Sequence, residues 1–227
     1  MNKSRIAVLE ISATFFLILA QIWFVGRLLS PYTILPLGLM IVSWVLHKDT
    51  LQSLGLSKFE FKGFGPLWII VAVGTVIVLI IGFLVNRSEI RESNLFVGLP
   101  LRFASYLVPA LFQQIVLNGF FVNRIQSITD KQNLVICIAG ILFCIIHAPN
   151  PVLLILTLIG GTISAYFFLR MRNVYPLAVA HAFLATVAYC VLPQLWHHGF
   201  RVGMEYYLFV PKPGDCCTPE FLKMFIS

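Results

Sequence analysis

The sequence predicts an all-α, multi-pass transmembrane helical bundle of about seven spans, of the kind a bilayer requires. Three observations carry that prediction. Of the 227 residues, 59% are hydrophobic and only 11% are charged, whereas soluble globular chains sit near ~45–50% and ~25%. The mean hydropathy of +0.91 leaves too little polar surface to clothe a soluble ball. The apolar residues also fall into runs approaching the ~20 needed to cross a membrane. Together these exclude a cytosolic enzyme, a disordered regulator and a disulfide-stapled secreted domain.

The runs follow one another with short punctuation. The first, from about Ile6 to Leu29, follows Lys3 and Arg5 and resembles a signal peptide. Glu10 interrupts it, however, and no small-x-small cleavage site is evident, so an uncleaved span is expected. The second, Tyr32 to His47, is short and follows Pro31. From Lys48 to Phe64 charges alternate with Leu and Phe, a pattern suited to the membrane interface. The third span runs from Pro66 to Val85 and precedes a charged hairpin, NRSEIRESN. The remaining four are Leu99 to about Arg124, Leu134 to His147, Val152 to Leu169, and Val174 to Leu192. The tail from Pro193 is rich in aromatic and Pro residues, with Trp196, Tyr206 and Tyr207 suited to an interface. The whole of 1–227 reads as one integral membrane domain, with a core at 99–192 and an interfacial tail at 193–227.

The net charge of +7 does not form a basic stripe, so no nucleic-acid partner is expected. Lys3, Arg5, Lys48, Lys58, Lys62, Arg124, Lys131, Arg170 and Arg172 fall on one side of the spans. Arg27, Arg87, Arg91 and Arg102 fall on the other, with Arg201, Lys212 and Lys223 in the tail. By the positive-inside rule the N-terminus is expected inside and the C-terminus outside. Cys137, Cys144 and Cys190 lie in apolar runs and read as packing residues. Cys216 and Cys217 sit together in the polar tail without zinc-ligand spacing, so no metal or other cofactor is assigned there.

Polar groups inside spans carry the functional signal, because each is costly to bury unpaired. The fourth span holds Gln113, Gln114 and Asn118 in FQQIVLNGFF; the fifth ends in FCIIHAPNP with His147 and Asn150; the seventh holds His181 in PLAVAHAFLAT. Gln114 and Asn118, four apart, share a helix face. The two Gln diverge by about 100° around the axis, so a single cavity receives both only if it is wide. Interhelical hydrogen bonding alone is the plainer reading for any one of these residues. Five such groups on three spans, Gln113, Gln114, Asn118, His147 and His181, favour a shared polar pocket.

These segments are similar to the CPBP family, the CAAX-protease and bacteriocin-processing proteins, which includes the Ras-converting endopeptidase and bacterial Abi-type proteins. The stretches are FQQIVLNGFFVNRI, FCIIHAPN and GGTISAYFFLRMRNVYPLAVAHAFLAT, between about Leu99 and Val191. A Leu-Gly-Leu at positions 54–56 is also family-like. The intervals Gln113 to His147 and His147 to His181 are each thirty-four residues. The family's pattern is Glu-Glu-x-x-x-Arg, then Phe-x-x-x-His, then His-x-x-x-Asn. The resemblance implies an intramembrane endopeptidase in which the first Glu and the first His activate water while the second His and the Asn stabilise the oxyanion. Here Gln113 and Gln114 stand at the Glu pair, Asn118 at the Arg and Ala185 at the Asn; Phe143, His147 and His181 are retained.

A carboxamide oxygen is far too weak a base to deprotonate water, and loss of one oxyanion donor costs ~10²–10³ in rate. The charges have gone together, which reads as natural divergence rather than an isosteric Glu→Gln trap. Three readings are open. In the favoured one, Gln113, Gln114, Asn118, His147 and His181 form a pocket for a membrane-anchored peptide or lipidated protein, with ordinary glutamic chemistry lost or altered. In the second, a divergent endopeptidase uses His147 and His181, or His147 with Glu10. In the third, His147 and His181 join His197 or His198 around a metal. His47, at a helix end, reads as an interface residue, Gly160 and Gly161 as close-packing positions, Asn150 as a turn residue, and Arg170 and Arg172 as inner-face anchors. The partners expected are membrane lipid and the anchored ligand, and the compact chain fits a bacterial cytoplasmic membrane. Prenylated CAAX tails, sorting signals and leader peptides are not distinguished by any residue.

Overall fold

The computed structural model describes residues 3–26, 31–87 and 95–211. Cys216, Cys217, Arg27, Arg91, Lys212 and Lys223, and most of the hairpin after Val85, lie outside the described residues. Among those described there is no strand; the chain is a bundle of helices.

Helix α1, Lys3–Ala20, continues through a π turn at Gln21–Val25. Helix α2 is Ile34–Leu46 and α3 is Gly65–Val85. Helix α4, Leu95–Gln114, runs on through a π-helical stretch, Ile115–Val122, and a last turn at Asn123–Gln126. Helices α5, α6 and α7 are Gln132–Ile146, Pro151–Met171 and Tyr175–Val191. Ser4–Val25, Gly65–Val85, Leu99–Gln126 and Pro151–Met171 are long and apolar enough to cross a membrane, and the other three helices are apolar but shorter. The chain is an integral membrane protein.

Helices α5 and α6 pack along each other, α4 and α3 both lie on α7, and α1 pairs with α2. Glycines permit the closest approaches. A Cβ on Gly161 would meet Phe143 at 3.0 Å, and one on Gly82 would meet the carbonyl of Val191 at 2.7 Å. Gly160 differs from its neighbour: a Cβ there meets nothing within 4 Å, so it opens onto free space rather than packing. Of the cysteines, Cys190 is buried in the core while Cys137 is exposed.

The segment after α2, expected at the membrane interface, packs against one end of the bundle. It folds back under the end of the bundle that carries Arg124, where Leu54 and Phe64 are buried. Gly55 takes φ +75° with Phe168 in the space a Cβ would occupy, and its carbonyl accepts from Val174 N–H at 3.0 Å. Lys58 and Phe59 stay exposed.

At the same end a buried ion network joins α1, α2 and α4. Arg124, 2% exposed, pairs with Asp49, lies 3.5 Å from Glu10, and donates from Nε to Ser43 at 2.7 Å. His47 Nε2 is 3.0 Å from Glu10, so His47 is an ion-network member rather than a free interface residue. Arg172 bonds Asn123 and Gln126, tying α6 to α4 instead of only anchoring the surface. Arg170 lies over the Tyr166 ring at 4.0 Å.

At the opposite end the tail caps the bundle. Asn150 caps α6 by accepting from Leu153 N–H at 3.2 Å. Its Nδ2 donates to the carbonyls of His197 at 2.6 Å and Arg201 at 3.1 Å. Asn150 therefore does more than turn the chain: its fully buried amide fastens the tail to the core.

Candidate functional site

Helix α5 has 15 residues and so rises only about 22 Å, less than the ~30 Å hydrocarbon thickness. Starting from the end that carries Lys131, it places His147 at its C-cap below the opposite membrane surface. The imidazole Nδ1 lies 2.7 Å from the carbonyl of Phe143. A carbonyl only accepts, so Nδ1 carries the proton and, in the neutral ring, Nε2 is the acceptor.

Gln113 and Gln114 end the regular part of α4, immediately before the π stretch. Such insertions recur at functional sites because they re-aim side chains. Gln114 is the hub of a buried network. Its Oε1 accepts from Asn118 Nδ2 at 2.7 Å and from Ser164 Oγ, while Asn118 Nδ2 also reaches Ser164 at 2.8 Å. With its oxygen so used, Gln114 donates through Nε2 to His181 Nδ1 at 3.1 Å. That leaves the His181 proton on Nε2, making this ring a donor where His147 is an acceptor.

The two Gln do not face one cavity. Gln114, Ser164, His181 and Ala185 line an apolar cavity of about 310 Å³ between α3, α6 and α7. Gln113 lines a second, of about 480 Å³, with Gln21, Thr33 and, from the tail, Arg201 and Glu205. Tyr106, Phe143 and His147 line both and form the wall between them. Phe143 holds its ring centroid 4.7 Å from His147 and 5.9 Å from His181. The 100° divergence of the Gln pair is thus resolved by two chambers rather than one wide one. Gln113 Oε1 and Asn118 Oδ1 are buried without a hydrogen-bond partner.

Glu10 does not join His147. It is held by Arg124 and His47 near the start of α5, while His147 sits at the far end of that helix, about 22 Å along its axis. The three-imidazole grouping is not formed either. His197 packs against Tyr189 and Phe200 at 4.7 and 5.1 Å, and His198 stacks on Tyr206 at 4.0 Å. Among the described residues no three His, Cys, Asp or Glu are grouped to hold a metal ion.

Ser164 and Tyr106 belong to the site and were not singled out from the sequence. Tyr106 lies seven residues before Gln113, two turns back on the same face, but a tyrosine in a span is too common to stand out. Ser164 lies in the small-residue stretch GGTISA, where a hydroxyl ordinarily bonds its own helix.

Residues 92–187 match the family model described as Type II CAAX prenyl endopeptidase Rce1-like. No curated protein and no solved structure matches the chain.

Proposed function

Taking residues 92–187 as an Rce1-like region of the CPBP family, we propose that this protein binds a membrane-anchored peptide or lipidated protein in the motif cavities, with ordinary glutamic peptidase chemistry lost or altered. One observation carries the reading. The amide that stands at the second Glu position is consumed by its neighbours: Gln114 accepts from Asn118 and Ser164 and donates to His181. Among the described residues no carboxylate lines either cavity near His147; Glu205, at the tail side of the second, is 3.8 Å from Arg201. A carboxamide cannot take a proton from water.

What the site retains is recognition chemistry. His147 offers an acceptor and His181 a donor, a pair complementary to the N–H and C=O of a peptide bond. In a water-poor interior such bonds gain strength, and leaving one unmade is costly.

A second reading is supported by His147 alone. Its Nδ1 is fixed by the Phe143 carbonyl and its Nε2 is an acceptor, the arrangement of an oriented general base. In that divergent endopeptidase, Nε2 would take the proton of an attacking water and the His181 N–H would hold the oxyanion. The missing donor at Ala185 makes this the weaker reading. The network-bound end with Lys48, Lys58, Lys62, Lys131 and Arg170 is assigned to the cytoplasm, with the N-terminus inside and a bacterial cytoplasmic membrane as the setting.

The test is binding of a fluorescent prenylated CAAX-tail peptide to the protein in lipid nanodiscs. Saturable binding is expected, weakened about tenfold in His181→Ala through loss of roughly 1–1.5 kcal/mol. Absence of saturable binding for this peptide, its unprenylated form, and sorting-signal and leader peptides would overturn the reading.

A further inference from the structure

The cavity that Gln114 and His181 close at its inner side has an unusual outer flank. It is bounded by α3 and α6, and the residues at that flank, Ile70, Ile77, Ile159 and Gly160, are themselves exposed. Gly160 is the tenth of the 21 residues of α6, and Gly74 the tenth of the 21 of α3. Each therefore lies about 14 Å from one helix end and about 16 Å from the other, near the middle of a ~30 Å hydrocarbon layer. Nothing lies within 4 Å of where a Gly160 Cβ would stand. A void of about 310 Å³ thus opens sideways at mid-bilayer.

The surroundings decide what fills it. An apolar void does not hold water, and left empty its walls forgo dispersion contacts on one side. The solvent at this depth is hydrocarbon, and what reaches the midplane is the terminal part of a lipid chain rather than a headgroup. We propose that the α3–α6 slot is a binding site for the end of one acyl chain of a bilayer phospholipid, admitted past Gly160. The chain lies along Ile77, Ile159 and Leu184 toward Ser164 and His181. A peptide entering this chamber must displace it, so the membrane itself competes for the site.

The experiment uses the full chain in phosphatidylcholine vesicles, with no peptide present, so its outcome is independent of the peptide-binding reading. One probe lipid carries a diazirine at the end of an acyl chain, and a second carries it next to the headgroup. After photolysis, chain-end label is expected on residues inside the slot such as Leu156, Leu177 and Leu184, and the headgroup-proximal probe should leave them unlabelled. Gly160→Leu should remove the slot label while label on the outward face of α2, at Ile41 and Val45, persists. Equal labelling of the slot by both probes, or slot label that survives Gly160→Leu, would overturn the proposal. So would chain-end label confined to outward faces. Should Gly160→Leu fail to fold, the two probes on the wild-type chain decide.

Discussion

Three histidines here differ only in what their ring nitrogens touch. His147 donates Nδ1–H to a carbonyl and keeps Nε2 as an acceptor; His181 accepts a hydrogen bond from Gln114 at Nδ1 and keeps Nε2 as a donor. His197 is fully buried, with Nδ1 accepting from Gly199 N–H at 3.1 Å. Burial, with the Arg102 guanidinium nearby, pulls His197 down from 6.5 to about 4. Its folded value is below the unfolded one, so the unfolded chain binds the extra proton first. Stability is complete above about pH 6.5, falls as pH drops toward 4, and levels below that, by roughly 3 kcal/mol in all. Melting temperatures in micelles at pH 7 and 4.5 should therefore differ more for wild type than for His197→Phe, which keeps the aromatic packing. Parallel losses would contradict this. At this scale the sequence revealed a good deal: Gln114 and Asn118 were legible because four-residue spacing sets one face. The Ser164 contact was not, since it depends on how α6 rotates against α4, and His197 was read only as one of two candidate metal ligands in WHHGF.

Between elements, the decisive joints are polar at the Arg124 end and glycine-mediated along the helices. The π stretch Ile115–Val122 separates the Gln pair from Arg124 and is gripped from outside: Trp44 and Asn123 both donate to the Gly119 carbonyl, at 3.3 and 2.9 Å. Arg124 then holds Glu10 and Asp49, which come from segments outside the family-matched stretch. Removing one member of such a buried set leaves uncompensated charge, costing about 3–5 kcal/mol. Arg124→Ala should lower stability by that order in denaturant-induced unfolding, and adding Glu10→Gln should recover part of it. Additive losses would show that Glu10 and Arg124 are not coupled. The sequence revealed Glu10 as an isolated acid in a span, but not its partner 114 positions away. Asp49 passed unnoticed because a charged residue in an interfacial segment needs no special reason.

Across the whole molecule, hydropathy and period made the seven apolar helices legible, because a bilayer tolerates few other solutions. The two-chamber layout was not legible. It arises because the short α5 ends inside the membrane and places Phe143 and His147, with Tyr106, as a wall between the Gln residues. The returning segment and the tail were read as interfacial layers. Each also closes one end of the bundle, the segment through Gly55 and the tail through Asn150. Those contacts depend on tertiary neighbours that no local pattern encodes.

The central claim, recognition without glutamic proteolysis, is tested most directly by cleavage of membrane-anchored peptides in reconstituted vesicles. The set to compare is wild type, His147→Ala, and a combined Gln113→Glu, Gln114→Glu, Asn118→Arg and Ala185→Asn variant. Silence from wild type with cleavage by the combined variant is the predicted result. Cleavage by wild type that disappears in His147→Ala would contradict it and establish a protease whose base is His147.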